Sequence, residues 1–204
     1  MKTFEVKTFN IPTLTGISEK TIEEHLKLYA GYVKHTNLIL EQIQELKKDA
    51  DPSTPLGAGN AYALGEINRR LGFEYNGMRN HEVYFESLAE GPTPLSDGPL
   101  KNKITETWGS YDAWLIEFKA IASTRGVGWA MLYYDKKDDR LLNAWVDEQH
   151  LGQLQGCDLI LGLDMWEHSF VADYQPSGKK QYIEDYFTNL NWENIERNFT
   201  KAQD

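Results

Sequence analysis

The run Leu159-Ile160-Leu161-Gly162-Leu163-Asp164-Met165-Trp166-Glu167-His168 decides how the rest of the chain is read. Its first five residues are almost wholly apolar and of strand length, the pattern of a buried strand. An aspartate at the end of such a strand is an awkward occupant, because a charge withdrawn from water is costly unless it is paired or bound to a metal. Four residues on stands a histidine. A carboxylate and an imidazole converging on one point suit a borderline transition-metal ion. A bare D-x-x-x-H pattern arises more often from a capping aspartate followed by a satisfied histidine, so the rest of the chain must supply further ligands before a metal is inferred.

Upstream, Trp129 to Tyr134 and Leu141 to Val146 read as a β-hairpin around the polar turn Asp135-Lys136-Lys137-Asp138-Asp139. With 159–163 they predict a small three-stranded antiparallel sheet surrounded by helices. Ile104 to Ala122 reads as one helix, with Tyr111, Trp114, Leu115 and Phe118 on one side, broken by Gly126-Val127-Gly128. After His168, Tyr182 to Leu190 and Trp192 to Phe199 read as two short closing helices. Gly91-Pro92-Thr93-Pro94-Leu95-Ser96-Asp97-Gly98-Pro99 is the clearest linker, and it divides an N-terminal domain, 1–91, from a C-terminal domain, 92–204.

The N-terminal domain reads as two long helices. Ser18 is the expected N-cap of the first, which runs to about Lys48. Ile22, His25, Tyr29, Tyr32, Thr36, Ile39 and Ile43 step by three and four and so share one face. His35 lies off that face and reads as surface. The turn-rich stretch from Asp51 to Asn60 is a loop. Leu64, Ile67, Leu71, Tyr75, Met78, His81, Phe85 and Leu88 then form a second stripe, with Gly72 and Gly77 as interruptions. Two such helices make an antiparallel hairpin. The fold class is α+β, an α-hairpin domain followed by the small sheet with its helices. Each hairpin helix carries one histidine on its apolar stripe.

At 204 residues, with 41% hydrophobic and 25% charged content, the chain is of ordinary globular composition. A formal charge of −10 argues against nucleic acid and anionic membrane surfaces as partners. No apolar run reaches the roughly 18 residues of a membrane span, and Met1 to Lys7 has no signal-peptide core. One cysteine, Cys157, excludes an intrachain disulfide framework, so a reducing, cytoplasmic setting is expected. At the entrance to the 159–163 strand, Cys157 reads as a small core residue.

His25, His81, Asp164 and His168 therefore stand out together. Three neutral imidazoles and one carboxylate suit a metal cycling between +2 and +3. They disfavour oxygen-only ions such as magnesium, and the lack of thiolates argues against iron–sulfur clusters. A structural zinc would take a closed tetrahedron, often with cysteine.

The motifs now carry a resemblance. Asp164-Met165-Trp166-Glu167-His168 is similar to the D-x-W-E-H signature of the iron/manganese superoxide dismutase family. Asn80-His81-Glu82-Val83-Tyr84-Phe85 resembles its N-H-x-x-[FY]-[WF] motif. Gly109-Ser110, Gly126-Val127-Gly128-Trp129-Ala130-Met131-Leu132 and Asn191-Trp192-Glu193 resemble further family segments in the right order. The resemblance implies that His25, His81, Asp164 and His168 bind one manganese or iron ion per subunit, completed by one solvent. It implies disproportionation of superoxide to O2 and H2O2, an antioxidant activity. Trp129, Trp166 and Phe85 match the family's aromatic wall around the metal.

The departures are as informative. The family commonly sets a glutamine against the metal-bound solvent, in one version four residues before the second ligand, where this chain has Gly77. The donor must then come from Gln149 or His150, and the reading leans to His150. Four residues after the first ligand, Tyr29 replaces the family's gateway histidine. Val171 replaces the tyrosine that pairs with it across a dimer. Tyr32 is the expected gateway tyrosine, although a shift of one residue would put Val33 there.

The resemblance implies a homodimer in which Glu167 reaches the partner subunit's His168. It also puts Lys179 near a channel-mouth arginine of the family. Gly162 and a solvent donor from the C-terminal half resemble the manganese-preferring branch. The runner-up reading is a metal-binding protein on the same fold with weak or no turnover. A metal-free helical scaffold would require four polar residues on core faces by chance.

Overall fold

Ser18 opens the first helix. Its Oγ accepts from the Thr21 backbone N–H at 3.2 Å, satisfying one of the donors a helix start leaves bare. In this computed structural model, which describes residues 2–48 and 58–204, the helix is α1, Glu19–Lys47. Of the expected 51–60 loop, 51–57 lies outside the described residues. Residues 58–60 already belong to α2, Ala58–Leu88. That helix runs unbroken through Gly72 and Gly77, where interruptions were expected. A glycine costs a helix only about 1 kcal/mol relative to alanine, which packing against α1 overrides.

The buried side of α1 is Ile22, His25, Tyr29, Val33, Thr36, Ile39 and Ile43. Val33 holds the fully buried place expected of Tyr32, which is half-buried on the shoulder of the face. On α2, Met78, His81, Phe85 and Leu88 are buried as their spacing requires. Tyr75, expected inside, is exposed and meets Phe4 edge-on, with ring centroids 5.9 Å apart.

Pro99–Trp108 and Tyr111–Ala122 are two helices, α3 and α4, where one was expected. Gly109 takes φ 83°, a left-handed conformation that stops α3, and Ser110 Oγ then caps α4 by accepting from Ala113 N–H at 3.1 Å. Apolar periodicity runs on through this joint and so conceals it.

The sheet has the order β2-β1-β3, with β1 Gly128–Asp135, β2 Arg140–Asp147 and β3 Asp158–Asp164, all antiparallel. Central β1 is buried from Gly128 to Tyr134, covered on one side by α4, while α2 packs on β3. Single turns of 3-10 helix, Glu167–Ser169 and Pro176–Gly178, flank α5, Val171–Tyr174. Helices α6, Lys179–Thr188, and α7, Trp192–Gln203, close the chain. Asn191 joins the two halves: its Oδ1 caps α7 through Glu193 N–H, and its Nδ2 donates to Ala89 O at 2.8 Å beyond the end of α2. Cys157 is half-buried against the core rather than inside it. Among the described residues, no helix is long and apolar enough to cross a membrane.

Candidate metal centre

Four elements deliver one side chain each to a common point. His25 comes from α1, His81 from α2, Asp164 from the last residue of β3 and His168 from the 3-10 turn after it. Their ligand-type atoms lie within 4.8 Å of one another. Three Nε2 atoms aim at a single oxygen, Asp164 Oδ2, at 3.2 Å from His25, 3.1 Å from His168 and 3.5 Å from His81. One carboxylate oxygen cannot satisfy three imidazoles, and His81 Nε2 is buried without a hydrogen-bond partner. A buried polar atom without a partner costs about 1–3 kcal/mol. A cation among the four groups removes that cost.

The second ring nitrogen of His81, Nδ1, lies 2.6 Å from Gly77 O. A carbonyl only accepts, so Nδ1 carries the proton and Nε2 presents its lone pair inward. Burial lowers the His81 pKa to about 3, helped by the neighbouring His25, and burial likewise lowers that of His25. Burial alone would raise the Asp164 carboxyl. The charges and hydrogen bonds of His168 and His25 nevertheless hold it well below the usual carboxylate range. The lowered pKa values of His25 and His81 leave their ring nitrogens free to act as ligands beside an ionised Asp164, as metal binding needs.

Asp164 is fixed from every side. Its Oδ1 accepts from Trp166 N–H at 2.8 Å, and its main-chain carbonyl accepts from the hydroxyls of Ser169 and Tyr182, each at 3.0 Å. The Phe85 and Tyr84 rings each lie 4.9 Å from the His25 ring, and Trp129 lies 5.1 Å from that of His81; all three are fully buried. Trp166 stacks on His168 at 5.9 Å and is half-buried. Of the four metal-type residues only His168 has exposure, 23% of its side chain, so access is from its side.

Beside His81 runs a hydrogen-bonded chain. Trp129 Nε1 donates to Gln149 Oε1 at 2.9 Å, and Gln149 Nε2 donates to Tyr32 Oη at 2.9 Å. Indole nitrogen is a donor only, so it fixes which end of the amide faces which neighbour. Asn80 Nδ2 and Gln153 Nε2 both hold the Gln149 carbonyl, at 2.9 Å and 3.2 Å. Gln149, fully buried, occupies this chain, while the His150 ring lies against Phe73, 5.8 Å away, with Nδ1 unpartnered. Glu148 in the left-handed region, φ 51°, turns the chain so that Gln149 points inward.

Gly77 has its own reason. A Cβ there would stand 2.5 Å from Tyr32 Cδ1, so the Tyr32 ring takes the room a glutamine would need. Tyr29, which stands where the family has its gateway histidine, has its hydroxyl accepting from Lys7 N–H at 3.1 Å and lying 3.3 Å from Glu82 Oε1, on the side of the N-terminal segment. The open cleft that reaches His168 is lined by residues that include Leu28, Tyr32, Arg70, Phe73 and Trp166. Leu28, Arg70 and Phe73 were not singled out in the sequence, and nothing in their spacing separates them from an ordinary helix surface. Val171 is half-buried, and Glu167 is exposed. Lys179 donates to Thr124 O at 2.6 Å beside Trp145 and does not line the cleft.

Three imidazoles and one carboxylate, set between a helical hairpin and a three-stranded sheet, define a mononuclear transition-metal protein with nitrogen and oxygen ligands. Residues 96–198 match the family model of the C-terminal domain of iron/manganese superoxide dismutases. The chain is 35% identical to an iron superoxide dismutase of Cupriavidus metallidurans, over 93% of this chain and 91% of that one. It is 34% identical to an iron superoxide dismutase of Aquifex aeolicus, over 93% and 87%. A manganese superoxide dismutase of Halobacterium salinarum is 31% identical, over 91% and 88%. The chain belongs to the iron/manganese superoxide dismutase family.

Proposed function

We propose that the protein is a superoxide dismutase, converting two superoxide ions and two protons into O2 and H2O2 at one manganese or iron ion held by His25, His81, Asp164 and His168. The observation that carries this reading is the convergence of three Nε2 atoms on Asp164 Oδ2, with the inward nitrogen of His81 otherwise unpartnered. Bound there, the ion supplies one-electron chemistry by cycling between +3 and +2. With neutral imidazoles, Asp164 is the one negative charge against it.

The chain's own residues supply the proton and the dry setting. H2O2 needs two protons, and Tyr32 holds one at its Oη. Burial, together with the Asp164 and Glu74 carboxylates, raises the Tyr32 pKa well above that of a free phenol, so the hydroxyl stays protonated and able to donate. Gln149 donates to that oxygen and, with its oxygen end taken by Trp129, keeps a second amide N–H to donate. This supports Gln149 over His150 as the residue tuning the site. A donor drawn from the C-terminal half, together with Gly162, favours manganese over iron. Phe85, Tyr84 and Trp129 keep water from His25 and His81. The exposed Glu167 supports a homodimer in which it reaches the partner subunit's His168.

The test is to purify the protein from cells grown with manganese or with iron, then measure bound metal and superoxide disproportionation. Turnover with one metal alone assigns the cofactor. Stoichiometric metal without turnover would overturn the dismutase reading and leave a metal-binding protein on this fold.

A further inference from the structure

We infer that Arg70 captures the anionic substrate in the cleft that leads to the metal centre, an inference that rests on the dismutase reading. The cleft measures about 430 Å³, and Tyr32 and His168 both line it. Since His168 alone of the four metal-type residues has exposed surface, an anion bound for the centre passes here.

A chain of net charge −10 repels such an anion at long range, so a local positive field has to offset that repulsion. Among the described residues, the only cleft-lining side chains that carry a formal charge are Arg70 and Glu74; His35 and His168 contribute imidazoles. The two are not equivalent to an approaching ion. Glu74 is nearly buried, with 9% of its side chain exposed, whereas Arg70 is 52% exposed. The pair therefore turns its positive end to solvent.

Arg70 is also held in place. Its Nη2 and Nε lie 2.8 Å and 3.0 Å from Glu74 Oε1, and its guanidinium carbon sits 3.8 Å above the Phe73 ring. Both partners lie on the same helix, one at i+3 and one at i+4, so a single turn of α2 builds the mount. A guanidinium stacked on an aromatic face and anchored along one edge keeps its remaining N–H groups for an oxyanion at little entropic cost. The cation that the family resemblance suggested, Lys179, is tied to Thr124 O outside the cleft.

The experiment uses the metal-loaded protein and two readouts. Azide, a small anion, is titrated and followed by visible absorption, and kcat/KM for superoxide is measured against ionic strength. The variants are Arg70→Gln, Arg70→Lys and Arg69→Gln. Arg69 is an exposed neighbour paired with Glu66, and it controls for the loss of one charge anywhere on the helix. Arg70→Gln should weaken azide binding by roughly five-fold and flatten the salt dependence of kcat/KM, with Arg70→Lys between it and the parent. Arg69→Gln should match the parent. Azide affinity in Arg70→Gln within two-fold of the parent, an equal loss in Arg69→Gln, or no azide binding by the parent would each overturn the inference. Arg70-dependent azide binding without turnover would instead sink the dismutase reading and leave anion capture standing.

Discussion

Trp129 on β1 and Asp164 on β3 are direct cross-strand partners. Opposite residues of an antiparallel pair project to the same face, so the ladder that builds the sheet also puts an indole beside the carboxylate. The indole then fixes Gln149 and packs on His81. Sheet register, ligand and hydrogen-bonded chain are thus one construction, and a slip of one residue would turn Asp164 away from the histidines.

Gln149→Leu should lower turnover by roughly 10- to 100-fold with most of the metal retained, because it removes an orienting hydrogen-bond partner and not a ligand. It should also cost about 1–3 kcal/mol of stability by leaving Trp129 Nε1 buried without an acceptor. His150→Leu should change turnover far less. Metal content and turnover of the two variants side by side decide the matter, and a larger loss in His150→Leu would return the role to that residue.

Asp164→Asn keeps the shape and removes the one carboxylate among the four groups. The variant should purify nearly free of metal. A chelator should lower the Tm of the parent, and added manganese or iron should restore it; ligand at a hundred-fold excess over Kd is worth about 2.7 kcal/mol. The variant's Tm should not respond to either. Full metal occupancy in Asp164→Asn would contradict the assignment of this carboxylate.

Two glycines of α2 should answer in opposite directions. A Cβ at Gly77 would overlap the Tyr32 ring, so Gly77→Ala should destabilise by about 1–3 kcal/mol and lower turnover by displacing the Tyr32 hydroxyl from Gln149. Gly65 has nothing within 4 Å of a built Cβ, so Gly65→Ala should stabilise the helix by up to about 1 kcal/mol. Thermal unfolding and turnover of the two variants check both signs. A Gly77→Ala protein as stable and active as the parent would mean that the ring has room to move.

Burial, with Asp135 and Asp158 nearby, raises the Cys157 thiol above its ordinary pKa. The thiolate is the reactive form, so alkylation at neutral pH should be slower than for free cysteine and should climb with pH to a midpoint above about 8.5. Iodoacetamide labelling followed by mass spectrometry across pH 7–10 measures it. A midpoint below that of free cysteine would show that a nearby cation, not burial, governs the thiol.

Much of the centre could be read locally. An apolar run ending in Asp164 with His168 four residues on, and one histidine on each apolar helix stripe, are short-range patterns whose meaning survives without coordinates. Local pattern does not decide where two neighbouring residues compete for one direction. On α1, Leu28 and Tyr29 stand three and four residues beyond His25, so both lie next to it on the helix surface. Periodicity puts Tyr29 on the buried face, where it lies, turned to Lys7 and Glu82, while it is Leu28 that shares the cleft edge with Tyr32.

By itself the sequence determined the fold class, the three-stranded sheet, the capped helix at Ser18 and the four metal-type residues, because spacing along a helix or strand dictates which side chains share a face. Tertiary structure alone decided that Gln149 and not His150 meets Tyr32, that the Tyr32 ring requires Gly77, and that the Arg70–Glu74 pair stands at the mouth. Each of these depends on the distance between elements far apart in the chain, and no local pattern encodes that distance.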